Sequence, residues 1–436
     1  MSRVRIRRVK FNSACGSVSN LGSKLQVRFA RNFTLIAVLA AGCPASSPLS
    51  WAAGGADAAA APQAHPEVNH KCPPRSDLDA ELGKASDWMR QSRYQEAAAL
   101  VEPLAAMDCD ARASLLLAAA FDGLGDGPKA KAVLERAHSA WPSNNSVAAS
   151  LARAYLAGGG KDQAVKALAH FHGTPETPEQ EMEMAVVVYL AAHQLLHAQT
   201  IAEADYKYHP SVHSLLLVAN TLQLEGRYPD VNRLLAVKRG MYAGSPEFFV
   251  TLAESEFEAS IYPAARQDLE RAISLNPGLY QAHYLLGNVL SKTNDTDGAV
   301  AEYRQAIDLA PGQPRTYYQL ALVLRSREDH AGERQALEQA LAADDHYAPA
   351  HCEMGRIVFE EDHRPADAVS HLLSAIQYNP RLEKAYFLLA RAYAQLGEKD
   401  KSEQMVQRLL TVRKENRPGP ADENQDQAAP GRSPTP

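Results

Sequence analysis

The feature that most constrains this chain is a recurrence. A pattern of small, large and helix-breaking residues returns about every 34 positions. It is clearest over residues 280–313, where Leu286, Gly287, Leu290, Ala299, Tyr303, Ala306 and Pro311 mark places 7, 8, 11, 20, 24, 27 and 32 of the unit. The same places carry Leu252, Ala253, Ala265, Leu269, Ala272 and Pro277 in 246–279. They carry Leu117, Ala118, Phe121, Ala130, Leu134, Ala137 and Pro142 in 111–144, and Leu151, Ala152, Tyr155, Ala164 and Leu168 in 145–178. Unit 348–382 gives Gly355, then Ala368, Leu372, Ala375 and Pro380 after a one-residue insertion near Asp362-His363. Unit 383–416 gives Tyr386, Leu389, Ala390 and Tyr393, with Ser402 where Ala is usual, and weaker units fill 78–110, 179–211, 212–245 and 314–347.

Elementary packing explains these residue types. Large residues spaced by three and four fall on one helix face. Small residues at places 8 and 20 let two helices cross closely, and the proline at place 32 ends the second helix because it lacks an N–H and clashes with the preceding turn. Segments 123–127 and 294–298 hold the Gly, Asn and Asp that tight turns need. Apolar residues make up 46% of the chain, rich in helix-forming Ala and Leu, and a single hairpin cannot bury its own apolar face. The sequence therefore predicts an all-α superhelical solenoid: about ten stacked antiparallel helix–turn–helix repeats over residues 77–416. The pattern resembles the tetratricopeptide repeat over about three quarters of the chain, with His283 at place 4, where that family usually has a large aromatic residue.

The resemblance implies a binding scaffold. In such repeats places 2, 5, 9 and 12 of the first helix line a concave groove. Here these include Tyr284 and Asn288, then Arg315, Tyr318 and Arg325, then Arg356, then Phe387 and Arg391. Cys352, Phe359 and Lys384 share those places, while unit 246–279 offers Glu247, Glu254 and Glu258. Arginine holds carboxylates bidentately and aromatics bury much area at low entropy cost, so a cationic C-terminal end for an acidic or C-terminal peptide is expected. A solvated helix face is the competing reading. The Lys/Asn carboxylate clamp of some family members is matched here by Asn288 alone, with Tyr284 where Lys should stand.

The flanks read differently. Arg28 and Arg31 precede an apolar run, 33–41, which is the grammar of a secretory signal and is too short to span a bilayer. Two processing routes stay open. Leu39-Ala40-Ala41-Gly42-Cys43 resembles a lipobox, with Ala40 where a large aliphatic is preferred, and would lipidate Cys43; Ser50-Trp51-Ala52 is an ordinary cleavage site. Residues 1–52 then form leader and signal, 53–76 an Ala/Gly/Pro-rich linker and 417–436 a polar tail. Net charge is −6, and removing the eight basic residues of 1–31, which contain no acid, leaves −14. That acidic balance argues against nucleic acid as partner. Cys72 and Cys109 flank the first hairpin, so an exported chain is expected to join them in a disulfide stabilising the N-terminal unit by about 2–4 kcal/mol; two separate thiols are the alternative.

No phosphate loop, nucleophile elbow, H-E-x-x-H or CxxC occurs. His193 and His197 lie four apart but no acid or Cys completes a set, and His170 and His172 do no better, so neither a metal nor another cofactor is expected. The expected function is an exported, non-catalytic scaffold that binds a protein or peptide, in envelope assembly or secretion, with a lipid anchor on the membrane if Cys43 is processed. The alternative is a subunit that positions an enzyme partner in glycan or redox chemistry, including cytochrome maturation.

Overall fold

A computed structural model describes residues 72–416. The signal and leader, linker residues 53–71, the tail and Cys43 lie outside the described residues. Within them are twenty α-helices and no strand. They form ten antiparallel hairpins: α1 (Arg75–Arg90) with α2 (Tyr94–Ala106), α3 (Ala111–Gly123) with α4 (Gly127–Ala140), α5 (Asn145–Ala157) with α6 (Lys161–Ala167), α7 (Glu179–Ala191) with α8 (Leu195–Tyr208), and α9 (Val212–Leu224) with α10 (Tyr228–Lys238). The C-terminal five are α11 (Pro246–Glu258) with α12 (Tyr262–Leu275), α13 (Tyr280–Lys292) with α14 (Thr296–Leu309), α15 (Pro314–Ser326) with α16 (His330–Ala343), α17 (Ala348–Glu360) with α18 (Pro365–Tyr378), and α19 (Glu383–Gln395) with α20 (Lys399–Glu415). No helix among the described residues is long and apolar enough to cross a membrane.

One device closes all ten hairpins. Each turn holds one residue at positive φ: Gly at 125, 159, 226 and 397, and Ser92, His193, Ser260, Asn294, Glu328 and His363 in the other six. That residue reverses the chain so that the next amide donates to the carbonyl at place 11, as Asp295 does to Leu290 at 2.9 Å and Asp126 to Phe121 at 2.8 Å. The insertion at Asp362-His363 leaves this closure intact, because Arg364 reaches the same place-11 carbonyl, Val358, from one residue further on. Asp126, Asp295 and Asp329 then cap the second helices by accepting from backbone amides in the first turn, satisfying otherwise orphaned N–H groups. Two second helices depart from the norm: α6 has seven residues and gives way to an irregular segment with buried Phe171, and α10 has eleven.

The size limit at place 8 is set by the residue at place 24. A Cβ on Gly287 would lie 2.6 Å from the Tyr303 ring, and one on Gly355 would lie 2.7 Å from Leu372. The unit with the largest ring at place 24 therefore needs glycine opposite it. Place 4 has its own rule. His283 and His351 each donate Nε2–H to a carbonyl of the turn before them, Pro277 at 3.0 Å and Asp345 at 2.9 Å, and the Tyr386 hydroxyl donates to Pro380 at 3.1 Å. Histidine thus replaces the family aromatic as a flat donor to the same place-32 carbonyl. A continuous apolar seam runs from Ala118 to Ile357, with further clusters under the first and last hairpins.

Candidate functional site: the inner face of the repeats

First helices pack on first helices of neighbouring hairpins, as α11 does on α13 and α13 on α15, while no comparably packed pair of second helices occurs among the described residues. The stack is therefore tighter along its first helices, which form the inner face. All eight residues expected to line the groove lie on α13, α15, α17 and α19. They divide into three groups.

Tyr284 and Asn288 belong to the interior. Tyr284 is 7% exposed and packs against Tyr280 and Tyr303, and its hydroxyl is buried without a hydrogen-bond partner. Asn288 accepts from the Tyr303 hydroxyl at 2.8 Å, so its place-9 amide braces the hairpin. Arg315 and Tyr318 form the second group. The Arg315 guanidinium lies 5.0 Å over the Tyr284 ring and forms no ion pair among the described residues. Tyr318 meets Tyr347 edge-on at 5.8 Å, and burial pushes its phenol up to about 12.

The third group corrects the expectation of a cationic C-terminal end. Arg325, Arg356, Lys384 and Arg391 are answered by Glu333, Glu353, Glu360 and Glu361, four cations against four carboxylates. Glu353 is the hub: its Oε2 accepts from Arg325 at 2.7 Å and Arg356 at 2.9 Å, and its Oε1 accepts from Lys384. Burial works to raise the Glu353 carboxyl, but the Lys384 hydrogen bond and the surrounding cations hold it below the usual range. The Arg356 side chain is 12% exposed and also donates to Glu361 and Glu333, so it holds the repeats together and is not free to grip a partner. Arg391 is exposed, pairs with Glu360 at 2.7 Å and lies 5.1 and 5.6 Å from the rings of Phe359 and Phe387. Phe387, 51% exposed, is the large apolar side chain of this face most open to solvent. The signal for the network was present in the sequence. Glu333 stands at place 20, where Ala is the rule, and a carboxylate cannot enter that crossing without a cation nearby.

Cys72 and Cys109 form a disulfide with a Cα separation of 5.8 Å, and Cys352 is a buried thiol that burial pushes up to about 12. His193 occupies a turn at positive φ, whereas His197 stacks on Tyr189 at 5.2 Å, so the two do not converge. A central set of buried acids was not anticipated. Burial raises Glu181 to about 7 against one hydrogen bond to Ser146. Glu256 rises to about 7 through burial and the neighbouring charge of Asp268, and Asp205 to about 6 through burial, partly offset by His209.

Family models described as tetratricopeptide repeat match residues 250–314, 286–348 and 359–418. Those matches fall on hairpins with the turn closure and place-8 packing described above. Residues 250–348 and 359–418 are tetratricopeptide repeats. No curated protein sequence matches it closely enough to count as a relative. Among solved structures, yeast Tom70 is 13% identical, covering 81% of this chain and 100% of its own, with a TM-score of 0.40. YrrB, described as a TPR protein with an unusual peptide-binding site, is 16% identical over 41% of this chain and 91% of its own, with a TM-score of 0.34. MamA from Desulfovibrio magneticus is 19% identical over 38% and 94%, with a TM-score of 0.35. At these scores the likeness is one of repeated helix pairs and extends no further. As a tetratricopeptide array the chain is a protein-interaction scaffold.

Proposed function

We propose that this tetratricopeptide array is an exported, non-catalytic scaffold that holds a peptide segment of a partner protein on the inner face of residues 280–395. The observation that carries the reading is Arg315, a guanidinium seated on the Tyr284 ring with no carboxylate paired to it among the described residues. A side chain so placed offers parallel N–H donors to a carboxylate. Phe387, with Arg391 across its ring, supplies an apolar contact on the same face. The ligand in view is a segment with one acidic group and one apolar group.

Export is supported by the signal grammar of residues 28–41, and it suits the Cys72–Cys109 disulfide, since such bonds persist in oxidising compartments. Palmitate labelling of wild type and Cys43→Ser distinguishes a lipid-anchored protein from a cleaved, soluble one. For the groove, partners captured from envelope extract by wild type are compared with those captured by Arg315→Glu and Phe387→Ala. Each variant is expected to lose at least about tenfold in capture, as removal of a desolvated anchor does. Capture unchanged in both would move the binding site elsewhere.

A further inference from the structure

We propose that His351 and His371 form a site for a divalent transition-metal ion of the zinc, nickel and copper class, with water completing the coordination. His351 is at place 4 of α17 and His371 is on α18, twenty residues away in sequence and adjacent across the hairpin. Their Nδ1 atoms are 3.3 Å apart. A carbonyl oxygen can only accept, so the 2.9 Å contact from His351 Nε2 to the Asp345 carbonyl puts the proton on Nε2. This leaves Nδ1, which faces Nδ1 of His371, as the nitrogen without the proton. Fixing of the far nitrogen by a carbonyl is how metal-binding imidazoles are held in their ligating tautomer.

The spacing fits an ion. Two nitrogens at about 2.0–2.1 Å from a tetrahedral metal are separated by about 3.3–3.4 Å. The equivalent pair two hairpins earlier shows what these positions otherwise hold. There His283 meets the Glu302 carboxylate at 2.7 Å, a complementary contact that needs no ion. In the later repeat an imidazole stands in place of the carboxylate. Both residues are half-buried, and the Tyr378 ring lies 5.8 Å from that of His351. Two other groups of convergent ligands are less suited. Arg356 already engages Glu333 and Glu361 of the set with His330, and Asp344, Asp345 and His346 lie on an exposed turn.

The test uses the full chain purified without a histidine tag and Zn2+ as the probe, titrated by calorimetry and by histidine-selective NMR. Saturable binding of one ion is expected, with both Nδ1 resonances shifting on the wild-type protein. His371→Asn and His351→Gln should each weaken it by at least about tenfold, a loss seen even when an outer-sphere partner is removed. His346→Ala should bind as wild type does. No saturable binding, unshifted Nδ1 resonances, equal affinity in both pair variants, or loss confined to His346→Ala would each overturn the proposal. The NMR reading on wild type stands whether or not a variant folds.

Discussion

The central repeats and the C-terminal repeats both bury carboxylates, and they treat them in opposite ways. Glu181, Asp205 and Glu256 each keep one carboxylate oxygen buried without a partner, and burial raises all three. Asp268 is held by Arg239 and still lies above its usual range, since burial outweighs the cation. Three hairpins later Glu353 has both oxygens occupied by three cations and is lowered. Glu333 shares Arg356 with it, but one oxygen stays orphaned and burial raises it. What decides the outcome is the number of cations within reach, not depth of burial. Glu181 and Glu353 are 4% and 3% exposed. A repeat fold tolerates both solutions because each hairpin answers only to its neighbours.

The contrast breaks most sharply at Glu353. Glu353→Ala leaves Arg356 among cations with one fewer anion, and about 3–5 kcal/mol of stability should be lost, as when one member of a buried pair is removed. Hydrogen exchange should place the loss in residues 314–395, with the central repeats unmoved. Uniform loosening of the whole array would contradict the local account.

The next test uses pH. The folded Glu181 carboxyl titrates near 7, above its unfolded value of 4.5, so the folded state holds the extra proton between them and stability falls as pH rises through that window. Glu181→Gln removes the titration and should stabilise the protein by about 1–3 kcal/mol at pH 8, with the gain vanishing near pH 4. Glu353 has the reverse sign. Its folded value lies below the unfolded one, so its contribution is present at neutral pH and is lost as pH falls through the folded value. Exchange measured from pH 8 to pH 5 should therefore tighten the centre and leave the Glu353 contribution in place, and that contribution is lost only below the unfolded value of 4.5. Parallel movement of both regions would refute the difference. The smallest effect belongs to Lys384→Met. This ammonium is 42% exposed, and its removal should cost about 1 kcal/mol or less in chemical denaturation.

Much of this was legible in the sequence. The period fixed the helix pairs, and Gly287 with Tyr303 shows why: the small residue and the ring that excludes a Cβ recur at set spacings. The same register put the eight expected groove residues on first helices, where the structure has them. What was hidden was the state of the side chains there. Arg356 reads as a groove cation until Glu333 and Glu361, on another helix and in a turn, are seen to surround it. The pairing of His351 with His371 was equally hidden, because only folding brings places 4 and 23 together, whereas His193 and His197, four apart in the sequence and set aside there, are separated by a turn.

The disulfide gives the array a direction. Stacked units fray from their ends, where each has one neighbour instead of two. Cys72–Cys109 rivets the first hairpin shut, while α20 at the other end has no such fastening and leaves Val406 and Leu410 in water. Under a protease or a mechanical pull the molecule should peel like a zipper with one stop, starting from the last repeat. Any cargo seated on the C-terminal inner face would be let go early, while the amino-terminal hairpins were still intact.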